Sequence, residues 1–132
     1  MHLLLDTHLL IWAMGDPRRL GAPLRERLDD PSHTLVFSVA SLWELVIKAG
    51  LGHEGFQVEP RLLRRGLLDG GWQELSITAR HVFAVAQLPP LHRDPFDRLL
   101  LAQAMDEGLL LLTADAQLAR YPGPVEVVAA GS

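Results

Sequence analysis

Five short apolar runs alternating with longer stretches of helical periodicity constrain this chain more than any other feature, because a parallel sheet wrapped by helices is written that way in sequence. The runs are His2 to Leu5, Thr34 to Phe37, Gln73 to Ile77, Leu109 to Leu112 and Val125 to Val128. Between them the pattern predicts helices over Thr7 to Met14, Pro23 to Leu28, Val39 to Ala49, Pro60 to Leu68, Ala79 to Leu88, Pro95 to Asp106 and Ala114 to Arg120. Proline opens the Pro60 segment, as first helical turns allow, and Thr78, Asp94 and Thr113 stand where N-caps belong. The expected class is therefore α/β with a central, mainly parallel sheet. Glycine and proline cluster at Gly50 to Gly55, Gly70-Gly71, Pro89-Pro90 and Pro122 to Pro124, runs short enough to be turns and not linkers. A single domain over residues 1–132 follows, since 132 residues with 48% hydrophobic content can bury about two thirds of the unfolded surface in one core.

The strand ends carry acids. Asp6 follows Leu3-Leu4-Leu5, Asp115 follows the run Leu109 to Thr113, and Glu44 and Asp97 lie early in the helices that start at Val39 and Pro95. Each has an ordinary structural reading. Asp115 sits in a first helical turn, where the helix dipole favours negative charge. Asp94-Pro95 is an N-cap, with Asp97 at the third helical position. Ser41 and Glu44 have the spacing of a capping box, and Glu44 and Lys48 that of an i,i+4 ion pair. Caps need not converge, however, whereas the carboxyl ends of parallel strands must, and open α/β sheets bind ligands there. Asp97 also shares a helical face with Leu100, Leu101 and Ala104, and a carboxylate on an apolar stripe has to be paired or metal-bound. Several carboxylates in one space repel, a divalent cation is the simplest remedy, and all-oxygen ligation favours Mg²⁺ or Mn²⁺ over zinc.

Other side chains bound the chemistry. The absence of cysteine removes disulfides, thiolate metal sites and thiol catalysis, and is compatible with a reducing, cytoplasmic setting. The apolar N-terminus lacks the basic residues of a signal peptide, and no run approaches the roughly 20 residues that cross a bilayer. A net charge of −4 argues against coating nucleic acid by bulk electrostatics, so any such contact is local. Arg61, Arg64 and Arg65 form the densest basic cluster, open to reading as a solvated face or as a phosphate contact. Among the six histidines, His8 and His92 stand near the acids and are candidates to touch metal or substrate, while His2, His33, His53 and His81 read as structural or surface residues. Thr113 can orient a carboxylate or cap a helix.

The ordered set Leu5-Asp6-Thr7-His8, Ser41-Leu42-Trp43-Glu44 with Lys48, Asp94-Pro95-Phe96-Asp97-Arg98 and Thr113-Ala114-Asp115 resembles the PIN-domain ribonucleases, in particular the VapC-type toxins of toxin-antitoxin pairs. The resemblance runs from residue 3 to about 122. It implies a three-layer α/β/α sandwich with an acidic pocket of Asp6, Glu44, Asp97 and Asp115, supported by Asp94 and Thr113. Within the matched segments, Thr7, Lys48 and Arg98 are the candidates for substrate contact. It further implies an RNA substrate, a homodimer, and a hetero-oligomer with a small cognate antitoxin whose tail enters or covers the cleft.

No side chain here is an obvious nucleophile or general base for attack of water on a phosphodiester, and bound Mg²⁺ or Mn²⁺ can supply both functions. Asp6, Asp97 and Asp115 are then metal ligands, directly or through water, and Glu44 holds a water or a second ion. Two other readings compete. Aspartyl-phosphate phosphatases also begin with an acid after an apolar strand, but they need a second acid two residues on, where this chain has His8. A non-catalytic binding module would use the same acids to capture a basic antitoxin tail or to act within a nucleic-acid complex.

Overall fold

The computed structural model describes residues 1–50 and 58–128. The expected turn from Gly50 to Gly55 therefore lies, beyond Gly50, outside the described residues, as does His53. Five strands form one sheet: β1 (His2–Leu5), β2 (Thr34–Ser38), β3 (Gln73–Leu75), β4 (Leu110–Thr113) and β5 (Val125–Val127). All pairings are parallel and the order is β3-β2-β1-β4-β5. Six α-helices accompany them among the described residues: α1 (Thr7–Gly15), α2 (Ala22–Asp29), α3 (Val39–Gly50), α4 (Pro60–Asp69), α5 (Ala79–Val85) and α6 (Pro95–Glu107).

Period-two alternation on β1 explains the layers. Leu4 packs in a core built with Leu100, Leu101 and Ala104 of α6 and Leu111 of β4. Leu3 and Leu5 point the other way, into a core with Leu9 and Leu10 of α1, Leu24 of α2, Leu45 of α3 and Leu63 and Leu67 of α4. A central strand covered on both faces has no need of polar positions, so β1 reads as unbroken leucine. The result is the expected three-layer α/β/α sandwich.

The chain order also dictates where a ligand can sit. From β1 it runs outward to β2 and β3, then returns through α5 and α6 to place β4 on the other side of β1. The direction of winding reverses between β1 and β4, and such a switch point leaves a crevice beyond the strands' carboxyl ends. Asp6 and Asp115 are the acids that follow those two strands.

Several boundaries differ from expectation for local reasons. β3 ends at Leu75, not Ile77, because its partner residue Ser38 is the last of β2 before α3 begins. α5 stops at Val85, and the chain continues to Leu88 in tight turns whose amides reach back three residues, since Pro89 disfavours a helical conformation just before it. Thr113 belongs to β4 and is not the cap of the next segment. Asp115 takes that role, accepting from the Gln117 amide ahead of a 3-10 turn, Ala116–Arg120, in place of the expected α-helix. Ser41 and Glu44 form no capping box, because α3 starts at Val39 and Ser38 Oγ accepts from the Ala40 amide. The Asp94 cap is present, accepting from the amides of Phe96 and Asp97. Among the described residues no helix is long and apolar enough to cross a membrane.

α6 ends at Gly108, whose φ of +69° closes the helix in a left-handed turn. A Cβ there would meet nothing within 4 Å, so the cost of Gly108→Ala is that of the backbone conformation alone. Urea unfolding of this variant should show a loss of about 1 kcal/mol at unchanged m-value. A loss within error of zero would contradict the left-handed cap.

Candidate active site

Asp6 is only 3% exposed, yet its carboxylate is well supplied with donors. Oδ1 accepts from the Leu9 amide at 2.9 Å, capping α1. Oδ2 accepts from Thr113 Oγ1 at 2.6 Å and from the Ala114 amide at 3.0 Å, which ties the end of β1 to the end of β4. Burial nevertheless outweighs these bonds and holds the Asp6 pKa above its ordinary value.

Glu44, equally buried, comes from α3. Its Oε1 accepts from Thr7 Oγ1 at 2.6 Å, and its Oε2 pairs with Lys48 Nζ at 2.7 Å, the i,i+4 contact expected from spacing. Thr7 Oγ1 also lies 3.0 Å from Ser41 Oγ. A hydroxyl has one proton, a carboxylate can only accept, and so the serine donates to the threonine while the threonine donates to Glu44.

Asp97 differs from both. It hangs from the first turn of α6 with its side chain 15% exposed, and among the described residues its only polar contact is the Nε2 of His92, 3.3 Å from Oδ2. Burial raises its pKa to about 7, and the charges of Asp94, Asp6 and Glu44 push in the same direction against the opposing pull of His92. Four acids from three different elements thus act on one space. Asp115 is more exposed, and its pKa falls below the ordinary carboxylate range. The little burial it has works upward, and is outweighed by hydrogen bonds from His92 and the Gln117 amide together with the nearby imidazoles of His92 and His8.

His92 is the residue that sequence left open, and its hydrogen bonds define its role. The Asp94 amide donates to Nδ1 at 3.0 Å, so that nitrogen carries a lone pair. The ring proton is therefore on Nε2, 2.7 Å from Asp115 Oδ2. A nitrogen that carries a proton cannot ligate a metal. In this arrangement His92 orients Asp115 and Asp97 and is not itself a ligand, although its Nε2 and the two carboxylates are close enough to share an ion. His81 with Asp106 and Glu107 forms a second gathering of this kind. There the Thr78 amide donates to Nδ1 at 3.0 Å, which makes His81 the far half of the α5 capping box with Thr78, and Nε2 faces Glu107 of α6 at 2.9 Å.

Thr7 and Arg98, both expected to contact substrate, are engaged within the fold. Thr7 is buried, and its hydroxyl is committed to Glu44. Arg98 points back into the fold, where its guanidinium donates to the carbonyls of Val85, Leu88 and Pro89 and to Tyr121 Oη. Tyr121 Oη also accepts from the amides of Leu91 and His92, so Arg98 and Tyr121 together fix the loop that carries His92. No local sequence pattern signals this pairing, which joins residues 23 to 30 positions apart. Lys48 does border the site. In the Arg61, Arg64 and Arg65 cluster, Arg64 forks onto Glu74, and all three side chains lie on the exposed face of α4.

An acidic crevice at the switch point of a five-stranded parallel sheet is shared with a known class. Residues 3–124 match the PIN domain, and the chain belongs to the PIN-domain family. It is 30% identical over 129 residues to Ribonuclease VapC22 of Mycobacterium tuberculosis, an alignment covering 95% of this chain and 97% of that protein. Its fold is similar to that of VapBC2 from Rickettsia felis bound to a DNA fragment from their promoter, with a TM-score of 0.70 and 18% identity over 97% of this chain and 99% of that one. DNA-bound VapBC from Salmonella typhimurium is similar at a TM-score of 0.67 and 19% identity, covering 96% and 98% of the two chains.

The raised Asp97 pKa has a measurable consequence. Between its unfolded value near 3.8 and its folded value of about 7 the folded state binds more protons than the unfolded one, so the stability linked to this group is complete below about pH 4 and is lost as pH rises through 7. At roughly 1.36 kcal/mol per unit the ceiling is about 4 kcal/mol. Asp97→Asn in the presence of chelator should therefore equal the wild type near pH 4 and exceed it near pH 8 in denaturant melts. A variant less stable than wild type at both values would rule out an Asp97 carboxylate disfavoured in its charged form by burial and by its acidic neighbours.

Proposed function

We propose that the chain is a VapC-type toxin, a divalent-metal-dependent endoribonuclease that acts in the cytoplasm as a single PIN-like domain and is restrained by a cognate antitoxin. The observation that carries this reading is Asp97, a largely buried carboxylate driven toward protonation by burial and by three neighbouring acids. Oδ1 of Asp97 accepts no hydrogen bond among the described residues, so its lone pairs are available to a cation. A donor set of Asp6, Asp97 and Asp115, with Glu44 beside them, fits a hard ion such as Mg²⁺ or Mn²⁺. The family likeness and the 30% identity to a ribonuclease over 95% of the chain support RNA as the substrate.

Asp6, Asp97 and Asp115 would hold the divalent cation, which when bound would supply polarisation of the phosphodiester and a lowered pKa for water. The protein's own residues prepare the place. Thr113 and the Ala114 amide aim Asp6, while His92 aims Asp115 with its Nε2 proton. Lys48 balances the charge of Glu44, which is left to hold a water or a second ion arriving with substrate. Asp94 contributes its negative charge to the pocket while capping α6. Dimerisation, and a basic antitoxin segment whose arginine pairs with two of these carboxylates, complete the reading.

The variant that tests it best is Asp97→Asn. Asp6→Asn is a poorer choice, because an amide replacing a carboxylate that accepts from Leu9, Thr113 and Ala114 would set donor against donor at a cost of about 1–3 kcal/mol. Incubated with a mixed RNA pool and Mg²⁺ or Mn²⁺, the wild type should cleave, and Asp97→Asn should be slower by roughly a thousandfold or more with an unchanged circular-dichroism spectrum. Mn²⁺ at about a hundred times its dissociation constant should stabilise the wild type by roughly 2.7 kcal/mol, and the variant much less. Equal cleavage by both proteins would defeat the assignment of Asp97. No cleavage by a wild type that still binds Mn²⁺ would favour the non-catalytic binding module. Co-expression with the product of a neighbouring small reading frame should give a complex with suppressed nuclease activity.

A further inference from the structure

One polar residue interrupts the apolar face of α6. Gln103 extends the stripe of Leu100 and Ala104 and is, like them, fully buried. A buried amide is tolerated only when its atoms have partners. Ser38, the last residue of β2, donates from Oγ to Gln103 Oε1 at 2.5 Å. Gln103 Nε2 donates to the Ser76 carbonyl at 3.3 Å and lies 3.3 Å from His81 Nδ1 on α5. The orientation of the amide is fixed, because a backbone carbonyl can only accept and so must face the nitrogen. Ser38 Oγ in turn accepts from the Ala40 amide at 3.0 Å, in the first turn of α3. One side chain on α6 thus ties together the end of β2, the segment after β3 and, through Ser38, the start of α3. A methionine would fill nearly the same volume, so the polar network adds a fixed arrangement where apolar packing alone would fill the space.

We infer that Gln103 is a positioning residue for the acidic site, setting the start of α3 against α6 through Ser38 and so holding Glu44 at a fixed place relative to Asp97. The inference rests on the metal-dependent ribonuclease function proposed above and adds to it a residue that meets neither ion nor RNA. Glu44 lies six residues beyond Ser38 and Asp97 six residues before Gln103, so each acid stands about 9 Å of helix away from the hydrogen-bonded pair. A tilt of roughly 6° over that length moves a carboxylate by about 1 Å, a misplacement that can cost on the order of a hundredfold in rate. The two helices meet a second time beside the acids. Trp43, the neighbour of Glu44, and Phe96, the neighbour of Asp97, pack edge-on with ring centroids 4.9 Å apart. Joined at both points, α3 and α6 have one relative placement, whereas the aromatic pair alone would leave them free to pivot. Thr113 performs the matching task for the other half of the site, since it joins Asp6 to the backbone of Asp115.

The test compares variants at the two partners. Gln103→Met keeps length and volume and removes the hydrogen bonds, while Ser38→Val and Ser38→Thr share a shape and differ in one hydroxyl. Each is studied well below its melting temperature, where circular dichroism shows it fully folded. In calorimetric titration of the whole chain with Mn²⁺, Gln103→Met and Ser38→Val should raise the dissociation constant by roughly 10- to 100-fold, and Ser38→Thr should stay within about twofold of the wild type. The double variant Ser38→Val with Gln103→Met should bind no more weakly than the worse single one, because both changes remove the same bond. Leu24→Ala opens a cavity on α2, an element that carries no residue of the site, and should lower the melting temperature while leaving Mn²⁺ affinity alone, which separates positioning from lost stability. The Phe96 ring protons, shifted in the NMR spectrum by the Trp43 ring, report the placement of α3 against α6 without metal or RNA, and should move in Ser38→Val but not in Ser38→Thr. Equal affinities and equal Phe96 shifts in Ser38→Thr and Ser38→Val, fold-changes that multiply in the double variant, or weakened Mn²⁺ binding in Leu24→Ala would overturn the inference. The Ser38 pair decides it even where Gln103→Met does not fold. A wild type that binds no Mn²⁺ but shows the expected Phe96 shifts would retire the metal reading and leave the placement of α3 by Gln103 standing.

Discussion

The hydrogen bonds to the Asp6 carboxylate hold the site and the sheet together at one point. A buried carboxylate is tolerated only when donors replace the water it has lost, and here the donors come from α1, from β4 and from the residue after it. Thr113 extends the arrangement by one step, since its hydroxyl donates to Asp6 and accepts from the Asp115 amide at 3.0 Å. A single relay of two hydrogen bonds therefore sets both the acid that ends β1 and the backbone of the acid that follows β4. The switch in winding direction makes those strands neighbours, and the relay makes their ends a crevice with fixed walls.

Around that relay the acids are balanced unevenly. Glu44 has a lysine and a threonine, Asp115 has a histidine and a backbone amide, and Asp97 has little besides the edge of the same histidine. The unevenness separates their proton affinities, with Asp97 raised and Asp115 lowered although both face His92. A site whose charges were all matched would gain little from a cation, whereas one with a single unmatched carboxylate at its centre gains most where that carboxylate lies. The supporting groups are themselves supported, since Tyr121 and Arg98 fix the loop that sets the His92 ring.

Much of this was readable in the sequence, and the reason is geometric. Parallel strands all end on one side, so acids after apolar runs converge wherever the runs are placed in the sheet, and Asp6 and Asp115 could be assigned without knowing the strand order. Asp97 was legible because a period of 3.6 puts it above Leu100, Leu101 and Ala104, all of which are fully buried. Glu44 and Lys48 were legible as i,i+4 neighbours. The engagements of Thr7 and Arg98 were not legible, because a polar residue beside an acid of the motif reads as outward-facing, while their partners lie 37 and 23 residues away in Glu44 and Tyr121. The tautomer of His92 depends on a backbone amide two residues on, and only coordinates reveal whether that amide points at the ring.

The Asp6–Thr113 hydrogen bond spans 107 residues of a 132-residue chain, and this separation governs when the site can exist. On a ribosome β1, β2 and β3 emerge in the order in which they lie side by side, but the strand that completes the crevice is the fourth, inserted on the far side of the first. Until residues near 115 are free to fold, Asp6 lacks two of its three donors, and Asp97 and Asp115 have no wall to stand on. Non-local parallel pairing is also slow to form. Assembly of the acidic crevice is thus a late event in the life of each molecule, so a nascent chain carries the first acid of that crevice for most of its synthesis without the neighbours that would give it a function.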